Sequence, residues 1–247
     1  LHNFVATHVS CAGWNNGSLT DIVSGGVGNA SSYTYEWNTG DSTYSLTELP
    51  VGTYSITVTD ENNCNSTASY VINDNDALSA SSVVNNVSCY DYCDGVITTS
   101  VTGGSPNYDI NGNPVYSYQW DDVLLQTTPS AIGLCVDNLL NSTSYSCVIT
   151  DGQGCTDTIS GVITQAEELI VSANIINNID CYSNNTGKLT ASIIGGNGGT
   201  TYLWNNWNTW NNNPLNNNVL AGTYVVIAQD INGCVDTTEI ILEDPSE

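Results

Sequence analysis

The chain has 247 residues, with 25 acidic residues against a single basic one, and a formal net charge of −24 at pH 7. This charge argues against nucleic acid and anionic membrane surfaces as partners, and no apolar run approaches the roughly 20 residues that a membrane-spanning helix needs. Nine cysteines in a chain with almost no possible salt bridges favour an oxidising, extracellular setting.

The first predicted elements form a pattern that occurs three times along the chain. An apolar strand ends in a cysteine, a glycine follows six residues later, and a second strand ends in a pair of glycines. A short aromatic strand of the form Tyr-x-Trp comes next. The opening cysteines are Cys11, Cys89 and Cys181, and the tryptophans are Trp37, Trp120 and Trp204.

Each copy closes with a predicted β-hairpin. In the first copy Tyr54, Ile56 and Val58 alternate with polar residues, which is the period of a strand with one buried face. Asp60 then interrupts the strand, because Asp side chains cap their own backbone in a turn, and Cys64 lies at the tip. The same spacing returns as Tyr145/Asp151/Cys155 and Tyr224/Asp230/Cys234.

About seven short strands per copy, with turns between them, predict an all-β antiparallel sandwich. Repetition at a fixed period outranks single-residue motifs, so we expect three tandem domains, 1-76, 77-168 and 169-247. The boundaries fall at short acidic joints. Linkers this short predict an elongated, stiff rod.

The cysteines at equivalent positions predict one disulfide within each domain, at about 4 kcal/mol each on the chain-entropy estimate. Cys147 replaces an apolar residue on the buried face of the closing hairpin, so we expect it to be a free core thiol. Cys93 and Cys135 are then left as a second bridge in the middle domain. The predicted intra-domain pairs are Cys11–Cys64, Cys89–Cys155 and Cys181–Cys234.

Over essentially the whole chain, the pattern C-x5-G, GG, Y-x-W and G-T-Y-x-(V/I)-x-V-x-D-x-x-G-C resembles the SprB-type repeat of Bacteroidetes cell-surface gliding adhesins. The resemblance implies Ig-like sandwich domains in a long surface protein exported by type IX secretion. A variant of the repeat with C-D-G and G-L-C matches Cys93-Asp94-Gly95 and Gly133-Leu134-Cys135, which supports the additional bridge. The chain departs from the pattern at Asn63, where the other copies have glycine, and the second copy lacks the glycine of G-T-Y.

Three short Asp-Ser/Thr-x sites resemble the O-glycosylation signal of the same bacteria, and we expect glycans on their hydroxyls. Two of the three follow the hairpin cysteine at the same distance. The alternative is chance together with the strand preference of threonine. The expected glycosylated residues are Ser42, Thr158 and Thr237.

Trp207 and Trp210 lie in an asparagine-rich stretch of the third copy and have no counterpart in the other two. They predict a contact with a protein neighbour, since exposed aromatic residues anchor interfaces. A sugar-stacking site and packing within the loop are the alternatives.

Asp109, Asn111 and Asn113 imitate the start of a calcium-binding loop, but the distal bidentate glutamate is missing. An Asx-rich turn is the favoured interpretation and calcium the alternative, so we expect no metal or other cofactor. His2 and His8 lack a second ligand set, and no G-x-S-x-G motif occurs, so we predict no enzyme activity.

The sequence as a whole predicts a non-enzymatic, extracellular structural or adhesive segment of a long surface protein or filament. The alternative is a carbohydrate-binding module that uses the loop of Trp207 and Trp210 and binds surface glycans. If Glu247 is followed by Leu1 of another copy, the acidic joint and the apolar residue after it have the same order as at the internal joints. We therefore expect self-association, head to tail with copies or neighbouring repeats.

Overall fold

The structure, a computed structural model, describes residues 1–28, 32–137 and 140–245. Glu247, used above to argue for head-to-tail continuation, lies outside these residues. Within them the chain is all-β. The first unit contains β1 (His2–Thr7), β2 (Gly17–Val23), β3 (Thr34–Trp37), β4 (Ser45–Leu49), β5 (Gly52–Thr59) and β6 (Asn65–Ile72).

The second and third units repeat this order, and the second has one additional small hairpin. The second unit contains β7 (Ser79–Asn85), β8 (Gly95–Thr102), β9 (Asn107–Tyr108), β10 (Pro114–Val115), β11 (Ser117–Trp120), β12 (Ser130–Leu134), β13 (Ser142–Thr150) and β14 (Thr156–Thr164). The third contains β15 (Ile170–Asn177), β16 (Gly187–Ile194), β17 (Thr201–Trp204), β18 (Leu215–Val219), β19 (Gly222–Gln229) and β20 (Val235–Leu242).

Each unit is an antiparallel sandwich of two three-stranded sheets. In the first unit the sheets have the orders β1-β2-β4 and β3-β5-β6, and the other units repeat these orders. This is the arrangement of an immunoglobulin-like sandwich that lacks its fourth strand, which confirms the predicted fold class. The prediction of about seven strands was one too many for the first and third units, because the connection from β3 to β4 in the first unit and that from β17 to β18 in the third form turns instead of a strand. The second unit has eight strands, because it carries the additional β9–β10 hairpin.

Three separate apolar cores lie between the sheets, spanning Val9 to Ile72, Val87 to Ile163 and Val171 to Leu242. The tryptophan of the Tyr-x-Trp strand is at most 2% exposed in each core. Its indole nitrogen donates to a carbonyl of the next connection, as in the 2.7 Å bond from Trp37 to Thr43. The strandless connections 73–78 and 165–169 separate the units.

The first tyrosine of the closing hairpin fixes the preceding turn in each unit. The Tyr54 hydroxyl donates to the Pro50 carbonyl at 2.9 Å, and Tyr224 makes the same bond to Leu220. This is the tyrosine corner of immunoglobulin-like domains. Cys147 follows Tyr145 by two residues, where immunoglobulin domains carry a disulfide cysteine. It is fully buried and unbonded in the core of the second unit.

The opening loop and the hairpin tip lie at opposite ends of each sandwich. In the first unit the Val9 amide donates to the Asn73 carbonyl at 3.0 Å, so the opening loop lies where β6 ends. Cys64 immediately precedes the start of β6. The eight residues of β6 therefore separate the two cysteine-bearing ends by about 26 Å at roughly 3.3 Å per residue.

The double glycines after the second strand bind the backbone of the preceding joint. The Gly104 amide donates to the Asp76 carbonyl and the Gly196 amide to the Glu167 carbonyl, both at 2.9 Å. Gly103 has a φ of 69°, and a Cβ there would collide with the Ala77 carbonyl. The glycines are needed because a side chain would push the joint away. Nowhere in the described ranges is there a helix long and apolar enough to cross a bilayer.

Candidate functional site at the domain junctions

Two of the disulfides join neighbouring units. Cys11 bonds to Cys155 and Cys89 bonds to Cys234, with Cα–Cα distances of 5.5 and 5.6 Å and sequence separations of 144 and 145 residues. The opening cysteine of one unit thus pairs with the hairpin cysteine of the next. The three predicted intra-domain pairs, Cys11–Cys64, Cys89–Cys155 and Cys181–Cys234, are wrong.

The physical reason is the length of the sandwich. A disulfide requires Cα atoms about 4.4 to 6.8 Å apart, whereas the closing strand holds the two cysteines of one unit at opposite ends. Stacking the units end to end brings the opening loop of one against the hairpin tip of the next. The sequence predicts the strand between Cys64 and Asn73, but it does not show that the units stack end to end.

Two other cysteine features lie within the second unit. The bridge Cys93–Cys135 is present, with a Cα–Cα distance of 4.1 Å, and ties the opening loop to the end of β12. Cys147 is fully buried, and desolvation raises the pKa of its thiol against a smaller opposing effect of a backbone hydrogen bond from Gln119. This thiol is therefore protonated and unreactive in the folded chain.

The aspartate of each closing hairpin positions the junction cysteine. In the third unit Asp230 accepts the backbone amides of Asn232 at 2.9 Å and Cys234 at 3.0 Å through one carboxylate oxygen. Its other oxygen accepts both the backbone and the side-chain nitrogen of Asn197 at 2.8 Å. One buried carboxylate thus fixes the hairpin tip against the double-glycine loop.

Asp151 and Asp60 repeat this arrangement. Asp151 accepts amides from Ser105 at 2.7 Å and from Cys155 at 2.9 Å. Burial raises the pKa of Asp151 and Asp230, but the hydrogen bonds to their carboxylates outweigh burial, so both pKa values lie below the usual range. The sequence indicated the turn made by these aspartates, but not their bonds to the neighbouring loop.

The second junction is held by a carbonyl as well as by the disulfide. The Ser88 carbonyl of the second unit accepts the side-chain amides of Asn197 at 3.2 Å and Asn232 at 3.3 Å, both in the third unit. Cys89 and Cys234 pack with Leu169 in a small buried apolar cluster. At the first junction the sulfur of Cys155 lies 3.4 Å from the Ser10 carbonyl, the residue that corresponds to Ser88.

Cys64 and Cys181 occupy the same two positions in their units but are unbonded and exposed. By contrast, the bonded cysteines Cys11, Cys89, Cys155 and Cys234 are all at most 9% exposed. The first unit therefore presents a hairpin tip without an opening loop against it, and the third unit presents an opening loop without a hairpin tip.

The predicted contact residue Trp207 packs inside its own unit. Its ring lies against the core of the third unit, and its indole nitrogen donates to the Asn216 side-chain oxygen at 3.3 Å. Asn216 is 2% exposed and exchanges two hydrogen bonds with Asn206. Trp210, in contrast, is 42% exposed.

The calcium-like segment forms a closed turn at the tip of the β9–β10 hairpin. One oxygen of Asp109 accepts the Asn111 and Asn113 amides at 2.8 and 2.9 Å, and the other accepts the Asn113 side chain at 3.0 Å. These bonds, the Asn113 side chain first, lower the pKa of Asp109. Both carboxylate oxygens of Asp109 therefore accept hydrogen bonds from residues of the same loop.

The three candidate glycosylation residues, Ser42, Thr158 and Thr237, are exposed. Asp157 and Asp236, which precede Thr158 and Thr237, hold the backbone of another strand. Asp157 accepts the Ala80 amide at 2.8 Å and Asp236 accepts the Val171 amide at 2.7 Å, each from the first strand of the same unit. The equal spacing after the hairpin cysteine thus has a cause that is independent of sugars.

His2 forms a buried pair with Asp21. The imidazole Nδ1 lies 2.6 Å from the carboxylate, and the two side chains are 8% and 0% exposed. The pair lies between β1 and β2 of the first unit. Among the described residues, no group of three or more His, Cys, Asp or Glu side chains could hold a metal ion.

Solved structures of extracellular and capsid proteins align with the chain at low identity. Three N-terminal domains of the bacteriophage RB49 Highly Immunogenic Outer Capsid protein align over 99% of each chain, with 13% identity and a TM-score of 0.47. Sidekick-1 immunoglobulin domains 1–5 align over 98% of this chain and 58% of that chain, with 10% identity and a TM-score of 0.34. With TM-scores below 0.5, these similarities carry no information about function.

No curated protein matches the chain in sequence. The family model of the SprB repeat matches residues 3–42, which contain β1, β2, β3 and the opening loop with Cys11. This segment carries the C-x5-G, GG and Y-x-W elements of the pattern. Residues 3–42, within the first unit, are therefore similar to the SprB repeat.

Proposed function

We propose that the chain is a non-enzymatic, structural and adhesive repeat segment of a long extracellular surface protein or filament, with its units joined head to tail. The observation that supports this most strongly is the pair of disulfides that link each unit to the next. They bypass both connections, so a break in either connection leaves the units covalently joined.

Such ties suit a protein that transmits force between a cell and a surface. Tension along the chain passes through folded sandwiches and disulfides instead of through the short connections. Each bond closes a loop of about 145 residues and so removes roughly 5 kcal/mol of unfolded-state entropy on the chain-entropy estimate. These bonds also replace the salt bridges that a chain of net charge −24 cannot form.

The location that we propose is the cell surface, reached by type IX secretion as the resemblance implies. Disulfides persist outside the cytosol, and this chain contains three. We propose glycans on Ser42, Thr158 and Thr237 because their hydroxyls are accessible and the motif resembles the bacterial signal. A sugar coat would keep exposed sheet edges from pairing with other chains.

Carbohydrate binding by the Asn/Trp loop is the less favoured function. Trp207, one of the two rings on which this alternative rests, packs against the core of its own unit. Trp210 is exposed and is therefore available for contact with a neighbouring protein or with a glycan.

Protease shaving of intact cells that produce the parent protein tests both location and modification. Trypsin is unsuitable because the chain contains one lysine and no arginine. We expect peptides of this chain in the supernatant after brief digestion with another protease, for example an aspartate- or aromatic-specific enzyme. Mass spectrometry of the same peptides would show added hexose-type mass at Thr158 and Thr237. A cytosolic protein serves as the lysis control. Recovery only after lysis would refute the surface location, and bare side chains at all three sites would refute the glycans.

A further inference from the structure

We infer that Cys181 of one chain and Cys64 of another form a third kind of link, an intermolecular disulfide that repeats the internal junctions. This inference deepens the head-to-tail arrangement proposed above and rests on it. Cys181 corresponds to Cys11 and Cys89, and Cys64 corresponds to Cys155 and Cys234. Each exposed thiol is thus one half of a pair that the same chain forms twice.

The hairpin tip of the first unit has the same local structure as the tip that binds an opening loop at the second junction. Asp60 accepts the amides of Val27, Asn62 and Cys64, each at 2.9 Å, which is the arrangement that Asp230 makes around Cys234. The tip borders a surface groove that corresponds to the occupied second junction. The groove is lined by Leu1, Gly25, Gly26, Asp60, Cys64 and Ser66.

At the second junction the corresponding groove lies between the third unit and the opening loop of the second unit, which forms one of its sides. Its walls are formed by Leu169, Gly196 and Cys234 of the third unit and by residues 89–92 of the second. The opening loop of the third unit starts at Cys181 and follows the first strand of its unit, as the opening loop of the second unit does. It is anchored by a bond from the Ser183 amide to the Asp244 side chain at 3.3 Å, as the Asp91 amide is bonded to Gln165.

One side chain supplies a specific contact for this docking. Asn232 donates to the carbonyl that precedes the opening cysteine, and Asn62 occupies the same position in the first unit. In the proposed junction Asn62 donates to the Asp180 carbonyl of the other chain. The occupant is therefore another domain of this same kind, and a second copy of this chain provides it.

The covalent step is a two-electron oxidation. The two thiols lose two protons and two electrons to a small-molecule disulfide such as oxidised glutathione, which is reduced to two thiols while the Cys181–Cys64 bond forms. Acidic side chains lie on both faces, Glu61 on one and Asp180 and Asp244 on the other. Repulsion between them weakens non-covalent docking, and salt screens it over about 8 Å at physiological ionic strength.

The test uses two complementary variants of the full chain, Cys64→Ser and Cys181→Ser, in a glutathione redox buffer. Each variant retains one junction thiol and the buried Cys147. We expect each variant alone to stay monomeric and the mixture to form a disulfide-linked heterodimer, with Cys181 and Cys64 joined in the non-reduced peptide map. The wild-type chain should form a ladder of linear multimers.

A positioning variant separates a specific junction from random thiol pairing. Adding Asn62→Ala to the Cys181→Ser chain removes one hydrogen bond and should slow heterodimer formation by about fivefold. Asn217→Ala, an exposed asparagine on β18 of the third unit, is the matched control and should leave the rate unchanged.

Two results would overturn the inference. One is a mixture that stays monomeric although a thiol reagent counts one reactive cysteine per folded chain. The other is dimerisation of each variant alone to the same extent as in the mixture. Neither result bears on the surface location, which the shaving experiment decides separately.

Discussion

Asp230 shows how a single carboxylate can organise a junction. It is 5% exposed and accepts four N–H groups, two from the hairpin tip and two from Asn197. Buried acceptors of this kind contribute strongly, because their removal leaves several donors without partners. Asp151 accepts three backbone N–H groups at the first junction. In both units the spacing from Asp to Cys therefore fixes where the sulfur lies.

Replacing this carboxylate should weaken the third unit and change its response to acid. Asp230→Asn should lower the free energy of unfolding of this unit by about 2 kcal/mol, since a charged acceptor is lost. The folded-state pKa of Asp230 lies below its unfolded value, so its contribution is present above about pH 4 and is lost as the pH falls through the folded pKa. The variant should therefore show a smaller loss of stability in acid.

Urea titrations between pH 7 and pH 2, followed by hydrogen exchange of third-unit peptides, measure this. Glu239→Gln on the exposed face of β20 is the control and should behave as the wild type. An Asp230→Asn chain with wild-type stability and acid sensitivity would contradict the assigned role.

The connection between β17 and β18 folds back onto the core of its unit. Trp207 packs on that core, and the Asn206–Asn216 bonds close the connection beneath it. One aromatic ring and one amide pair, of which Asn216 is buried, thereby fix the conformation of an asparagine-rich segment.

Substitution of this ring tests whether it belongs to the fold or to a ligand site. Trp207→Ala should lower the free energy of unfolding of the third unit by about 2 kcal/mol, because a half-buried indole and its hydrogen bond are lost. Trp210→Ala, in the same segment but 42% exposed, should change it by less than about 0.5 kcal/mol. Urea unfolding monitored by hydrogen exchange separates the two, and equal small effects would contradict the packing role of Trp207.

The disulfides shorten the covalent path through the molecule. From Leu1 the path runs to Cys11, crosses to Cys155, returns through the Cys135–Cys93 bond to Cys89, crosses to Cys234 and ends at Pro245. It contains about 50 residues of backbone, so the oxidised chain cannot be stretched beyond about 170 Å, against more than about 800 Å for a fully reduced chain.

Single-molecule pulling between the two ends measures this limit directly. We expect the oxidised chain to stop at about 170 Å and a chain pulled in the presence of a reducing thiol to extend toward about 800 Å. The double variant Cys93→Ser/Cys135→Ser removes the shortcut in the second unit and should raise the limit to about 300 Å. Extension of the oxidised chain to the fully reduced length would show that the junction bonds do not form.

Local patterns were enough to predict the sandwich and its tips. The alternation of Tyr54, Ile56 and Val58 identified β5, and Asp60 marked its end, because both signals arise from neighbouring residues. The same alternation of neighbouring residues identified Cys147 as a core residue. The Asn/Trp segment was ambiguous, since whether Trp207 faces solvent depends on Asn216 and the core beneath it.

The pairing of the cysteines was decided only by the three-dimensional arrangement. Equivalent positions in three copies are compatible with bonds inside each unit and with bonds from one unit to the next, and no local pattern separates the two. The length of β6 does, because it places Cys11 and Cys64 at opposite ends of one sandwich. Stacking of the units then brings Cys11 within bonding distance of Cys155, and the same stacking leaves Cys64 and Cys181 exposed at the two outer ends.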